Sequence, residues 1–320
     1  MKVAGVPVTI MCVALCCAAF GMWQFLHRSA VQLVSVTGGK PAPIVARARL
    51  APPPPPFEFP AGGRTLAGTY RFVALYGSPD SPALGVLGEQ SPNISAVRAK
   101  ELAATYQPLS AAPIYPTFEI ISTIASATAT DNGDYSRELP IAALRPWVDV
   151  ARQNGVYMVL DLQPGRTDFL TQAKEYESLL REPNVGLALD PEWRLAPTQV
   201  PLKQIGSVDI TEVNQVITWL AALTKTAGLP QKLFVLHQFR LDMITGRENL
   251  DTAHPELAYI IQMDGQGTQA QKQATWQAVT ASPPANVSFG WKNFYQKDTP
   301  VLEPAGTMEL TPQPWYISYQ

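Results

Sequence analysis

The fold this sequence predicts for residues 67–320 is an eight-stranded α/β barrel. Three observations predict it. From Tyr70 onward short apolar runs alternate with amphipathic stretches, the pattern of β/α units on a parallel sheet. The runs number eight, and about 250 residues is the usual size of such a barrel. Polar side chains gather at the C-terminal ends of the runs, where a barrel places its chemistry.

The strand candidates are Tyr70–Tyr76, Thr117–Ala125, Val156–Asp161, Val185–Asp190, Lys232–His237, Ala258–Asp264, Asn286–Trp291 and Trp315–Tyr319. Helix candidates lie between them. Ile94–Tyr106 follows Asn93 as N-cap, and Ile141–Gln153 stops at Asn154-Gly155. Phe169–Leu180 follows Asp168, and Ile210–Ala227 opens on Asp209 with Glu212 three residues on, close to a capping box. Thr268–Thr280 is the fifth. The helices after strands five and seven are poorly formed. An open doubly wound sheet is the competing fold, but Tyr76-Gly77-Ser78-Pro79 lacks the glycine spacing of a dinucleotide-binding turn.

Ahead of the barrel, Val3 to Leu26 carries no charged residue. At helical rise such a run spans about 36 Å, enough to cross a bilayer. Residues 1–28 therefore read as an uncleaved anchor, or as a signal cleaved after Ala19-Phe20-Gly21. All three cysteines, Cys12, Cys16 and Cys17, lie in this run, with Met11 and Leu15 where a lipid-attachment box needs a small residue. Residues 29–66 read as a linker marked by Gly38-Gly39 and the run Pro52 to Pro56, a semi-rigid spacer. Phe57 and Phe59 leave room for an arm packed on the domain instead. The expected setting is extracytoplasmic, tethered to a membrane through the N-terminal segment or secreted.

Composition excludes several classes of function. The net charge is −2 with only 16% charged residues, so no basic footprint for nucleic acid is present. The region after residue 28 has no cysteine, hence no disulfide, thiolate metal site or cysteine nucleophile. No Gly-x-Ser-x-Gly elbow occurs, and a single strand-end histidine without a spaced partner does not predict a metal site. No cofactor is expected.

The strand ends carry the remaining signal. The third strand ends in Asp161-Leu162-Gln163 and the fourth in Asp190-Pro191-Glu192-Trp193. The fifth ends in His237-Gln238, the sixth in Gln262-Met263-Asp264, and the seventh in Trp291-Lys292. The last carries Trp315 and Tyr316. Side chains alternate along a strand, so Gly186, Ala188, Asp190 and Glu192 share a face that should point into the barrel. Val185, Leu187 and Leu189 share the face toward the helices. Crowded carboxylates cannot all ionise, and a burial penalty acts in the same direction. A carboxylic acid kept protonated near neutral pH is what protonates a glycosidic oxygen. Glu192 projects furthest and is the expected acid, with Asp190 as its partner and Asp161 orienting water or sugar. Glu119 lies inside the second strand and either points inward, where it needs a partner, or lies at an edge.

Asp190-x-Glu192 closing the fourth strand resembles the acid motif of the chitinase-like glycoside hydrolases of family 18, and is similar to the lysozyme-like family 25. The resemblance to family 18 implies that Glu192 is the acid and that Asp190 steadies the sugar's own acetamido nucleophile. Gln262-Met263-Asp264-Gly265 resembles that family's Tyr-Asp motif with Met263 in place of Tyr. Trp315 sits where the family carries a tryptophan floor for the sugar. The longer acidic run of family 18 is replaced here by Leu and small residues, and the first-strand acid of family 25 by Tyr76-Gly77. The resemblance covers the barrel plan and one short motif.

The sequence thus points to a barrel that cleaves a glycosidic bond in a carbohydrate polymer, such as a cell-envelope polysaccharide. Gln163, Trp193, His237, Gln238, Gln262, Asp264, Trp291, Lys292 and Trp315 are the expected substrate-binding residues. The alternatives are a non-catalytic barrel that binds glycan or another envelope component, and a structural envelope protein.

Overall fold

The computed structural model describes residues 56–320. The apolar segment Val3–Leu26 and most of the proline-rich stretch lie outside them. Among the described residues no helix is long and apolar enough to cross a membrane.

Eight parallel strands close into a barrel. They are β1 (Arg71–Gly77), β2 (Ile114–Ala125), β3 (Tyr157–Leu162), β4 (Val185–Leu189), β5 (Lys232–His237), β6 (Leu257–Met263), β7 (Val287–Asn293) and β8 (Tyr316–Tyr319). Each pairs with its sequence neighbours, and β1 pairs with both β2 and β8 to complete the ring. A short antiparallel strand, Ser136–Glu138, extends the end of β2. The register brings Tyr76 level with Glu119, Ile121 with Asp161, and His237 with Gln262. A bulge in β2 between Ile121 and Thr123 shifts its pairing with β3 at the mouth.

The alternation expected for β4 is observed. Ala188 joins the barrel interior with Phe72, Tyr157, Val235 and Tyr316, whereas Leu187 and Leu189 pack against the surrounding helices. Gly186 makes room for Tyr157. A Cβ there would lie 2.7 Å from the Leu233 carbonyl and 3.1 Å from the Tyr157 hydroxyl, which accepts the Leu233 N–H.

The helices are α1 (Pro92–Tyr106), α2 (Ile141–Asn154), α3 (Phe169–Glu175), α4 (Glu177–Leu180), α5 (Ile210–Thr226), α6 (Gln269–Thr280) and α7 (Pro304–Met308). Helix α1 starts earlier than expected, with Ser91 rather than Asn93 as N-cap, because Pro92 has no N–H to satisfy and fits the first turn. Gly155 ends α2 in the left-handed conformation. The stretch expected as one helix over 169–180 breaks at Tyr176, whose buried hydroxyl donates to the carbonyls of Ser122 and Leu139. Asp209 caps α5 through the Thr211 N–H. Glu212 does not close a capping box; it accepts from the Phe169 N–H at 2.9 Å and pairs with Arg194 at 2.9 Å. Thr268 and Gln271 do form a capping box on α6. Strand β5 is followed by two 3-10 turns and the two-residue strand Ile244–Thr245, with no α-helix, and β7 only by the short α7, as the weak helical pattern implied.

The bottom of the barrel is closed by residues the sequence assigned to the linker. Phe59 and Leu66 are buried, and the Phe59 ring meets Tyr70, Tyr115 and Tyr157 at centroid distances of 6.0–6.4 Å. Gln231 accepts the backbone N–H groups of Leu66 and Ala67. Phe59 and Leu66 thus pack as part of the barrel floor.

Two substitutions test this packing. Phe59→Ala should lower unfolding stability by about 3–5 kcal/mol, as for other buried phenylalanines. Gly186→Ala should cost about 1–3 kcal/mol through overpacking against Tyr157. Urea unfolding would measure both, and wild-type midpoints would reject this account of the barrel floor.

Candidate active site

Inward positions at or just beyond the C-terminal halves of six strands supply the site. Tyr76 continues the face of Phe72 and Ala74 on β1, and Glu119 the face of Tyr115 and Thr117 on β2. Asp161 ends β3, Asp190 follows β4, His237 ends β5, and Asp264 follows β6.

At the base lies a buried charge layer. His237 has no exposed surface, and its two ring nitrogens meet two carboxylates from different strands. Nε2 lies 2.7 Å from Glu119 Oε1, and Nδ1 lies 3.1 Å from Asp264 Oδ2. Burial alone would lower the proton affinity of this imidazole. The charges of Asp161 and Glu119 and the hydrogen bonds to Asp264 and Glu119 outweigh it and hold the pKa well above the usual histidine value. His237 is thus an imidazolium that donates from both nitrogens. Beside it the Tyr76 hydroxyl donates to Asp161 Oδ2 at 2.7 Å, and the Lys292 ammonium sits 3.3 Å from the centre of the Tyr76 ring.

The remaining carboxyls all have raised proton affinities. Burial, then the charge of Glu192, raises Asp190 well above the carboxylate range. Burial pushes Asp161 up to about 6, against the lowering effect of His237. Glu192 is pushed up to about 7 by burial and by the charge of Asp264. One oxygen each of Glu119, Asp161, Asp190 and Asp264 is buried without a protein partner.

Above this layer opens a cavity of about 1050 Å3. Glu192, Asp264, Lys292, Gln163 and Trp193 line it, and Tyr76 forms part of its floor. The strand does not carry Glu192 there. Strand β4 ends at Leu189, and Pro191–Trp193 forms a 3-10 turn. The turn is fixed from behind, because the Gly206 N–H donates to the Glu192 carbonyl at 2.6 Å. A Cβ on Gly206 would lie 2.4 Å from the Arg194 carbonyl, so only glycine permits this approach. Glu192 makes no side-chain hydrogen bond among the described residues, and its carboxyl faces the cavity.

The structure therefore divides the expected residues. Glu192, Asp264, Gln163, Trp193 and Lys292 meet in one cavity, with Asp190, Asp161, His237 and Gln262 buried close by. Of the acids at the strand ends, Asp264 shares the cavity with Glu192, whereas Asp190 and Asp161 are 2% and 0% exposed; Glu89, paired with Arg98, lines the cavity further out. Gln262 lies inside the barrel, donating to Ser318.

Three residues lie elsewhere. Gln238 points away from the barrel interior because His237 points in, and its carbonyl oxygen accepts from Arg247. Trp291 alternates with Lys292 and packs outside the barrel against Trp276 and Phe289. Trp315 precedes β8, so it lies at the opposite end of the barrel from the cavity, beneath the Arg71 guanidinium. Strand parity alone separates Gln238 and Trp291 from the mouth. Glu119 and Tyr76 complete the site; the inward parity of β2 and β1 marks both.

Asp161, Asp190 and His237 offer ligand-type atoms within 4.8 Å of one another. Both His237 nitrogens are already held by carboxylates, so this set would bind a metal only by breaking one of those bonds.

Scans against protein-family models and curated proteins give no match. Among solved structures, the chain is similar to a xylanase and α-amylase inhibitor protein from Scadoxus multiflorus (10% identity, 78% of this chain and 92% of that one, TM-score 0.43). It is also similar to concanavalin B (11%, 78% and 93%, 0.43) and to a family 99 endo-α-mannosidase from Bacteriodes thetaiotaomicron (10%, 80% and 83%, 0.33).

Two predictions follow from the charge layer. His237→Gln leaves two buried carboxylates without their cation, and should cost about 3–5 kcal/mol in urea unfolding at pH 7. Glu192 and Asp161 bind protons more tightly folded than unfolded. Their stabilising contribution is complete below about pH 4, the unfolded range of such groups, and is lost as pH rises through about 6 and 7. Glu192→Gln should flatten the upper part of this decline; an unchanged pH–stability curve would contradict the assignment.

Proposed function

We propose that the domain is an extracytoplasmic glycoside hydrolase-like protein that cleaves a glycosidic bond by carboxylate acid catalysis. The observation that carries this reading is the Glu192 carboxyl. It faces a large cavity, makes no side-chain hydrogen bond among the described residues, and keeps its proton up to about pH 7.

In this reading Glu192 gives its proton to the leaving oxygen as the bond to the anomeric carbon breaks. Asp264, in the same cavity, faces the positive charge that develops on the sugar. His237 fixes Asp264 from behind with an imidazolium hydrogen bond. Water adds to the anomeric carbon, and its proton returns the acid to its starting state. Asp190 and Asp161 act from beneath. Asp190, buried and protonated, withholds a further negative charge from Glu192, and Tyr76 orients Asp161. Lys292 draws Glu192 toward ionisation, so the Glu192 proton is available rather than locked. Trp193 and Gln163 supply a ring and an amide for sugar contact. An envelope carbohydrate suits a domain following an apolar segment.

The second reading is a barrel that binds glycan without cleaving it. The burial of Asp190 and Asp161 favours it, because of the strand-end acids only Asp264 then shares the cavity with Glu192.

Glu192→Gln decides between them. For an enzyme, turnover on a glycan panel should fall by about 10²–10⁴-fold with binding retained. The wild-type rate should fall as pH rises through about 7, the value at which Glu192 loses its proton. A wild type that binds glycan and releases no reducing ends would leave only the binding reading.

A further inference from the structure

The cavity has two unlike regions. Its deepest charged groups are Asp264 and Lys292, 7% and 3% exposed, whereas Glu89, Arg98 and Lys297 line it nearer the surface. One wall is aliphatic, formed by Leu84 and Val86 after β1, Ile121 and Ile124 of β2, and Leu202 and Ile205 after β4. This wall continues out to the rim, where Leu202 is 73% and Ile205 39% exposed. Eight large apolar side chains are exposed among the described residues, and Leu202, Ile205 and Tyr295 all line this one cavity. Exposed apolar side chains scattered singly need no explanation, but a cluster continuous with a binding cavity marks an apolar ligand.

The wall is poorly suited to a soluble polysaccharide. Every hydroxyl of a sugar pressed against it would lose water and find no hydrogen-bond partner. Branched aliphatic side chains instead reward removal of hydrocarbon from water. The cavity is also at the upper end of the range, about 300–1,000 Å3, that encloses a ligand of several rings.

We propose that the site takes an amphiphilic glycoside, with the sugar at Glu192 and Asp264 and an apolar chain laid along Ile121, Leu202 and Ile205. The sugar end rests on the glycosidase reading; the chain end does not. The chain runs outward past Ile205, so its length beyond the rim is unrestricted. The wall thus selects for the presence of a chain rather than for its end.

The test compares n-octyl β-D-glucopyranoside, below its micellar concentration, with methyl β-D-glucopyranoside. Both are titrated calorimetrically into the full chain carrying Glu192→Gln, in lipid nanodiscs. The same chain with Leu202→Ser and Ile205→Ser serves as control, so that partition into lipid cancels; thermal unfolding checks that it folds. Each seated methylene is worth about fourfold in affinity. Three should make the octyl glycoside bind about sixtyfold more tightly, and the double substitution should remove most of that preference. Equal affinities, no binding of either glycoside, or a preference that survives the double substitution would overturn the proposal. Chain preference without hydrolysis of any glycoside would support it while removing the enzymatic reading. Hydrolysis of soluble oligosaccharides without chain preference would overturn it and keep that reading.

Discussion

One imidazole ties the strand ends of this barrel together. His237 reaches Glu119 on one side and Asp264 on the other, joining β2 to β6 across the interior. Neither carboxylate could be tolerated at that depth without it, since an unpaired buried charge costs several kcal/mol. The imidazole in turn would be neutral there without the carboxylates. Asp161 and Asp190, near the imidazole but not hydrogen-bonded to it, are raised by burial above the usual carboxylate range, and so is Glu192 above them.

The layer above inherits its geometry from this base. Asp264 is aimed by the His237 ring, and Lys292 by the face of Tyr76. Glu192 is aimed differently, by a loop rather than a strand. Pro191 ends the ladder, Gly206 admits the turn from behind, and the Arg194–Glu212 pair ties that loop to α5. A rigid strand end would set Glu192 deeper, beside Asp190. The turn lifts it into the cavity, where its proton can reach a ligand.

Much of this plan is legible in the chain. The eight strand candidates match the observed strands to within a few residues, because parallel strands buried on both faces read as near-continuous apolar runs. The inward face of β4 follows from Gly186 and Ala188, and Asp190 from the same parity. Strand parity and strand ends decide the rest. Trp291 and Gln238 alternate with the inward Lys292 and His237, and so face outward. Trp315 was placed at the wrong end of its strand, since β8 begins at Tyr316 and runs toward Gln320. Phe59 was read with the prolines before it, because a short arm has no periodicity to reveal its packing against Tyr70 and Tyr157.

The sequence by itself determined the barrel, its strand boundaries and the list of acids near its mouth. Local period and composition suffice for these. Only the tertiary structure decided which acids are buried and which face the cavity. It also decided that Glu119, over a hundred positions earlier in the chain, is the partner of His237. That pairing depends on closure of the sheet, and on distances across its interior that no local pattern encodes. The placement of Glu192 opposite Asp264, under an aliphatic wall from three separate segments, follows from the same closure.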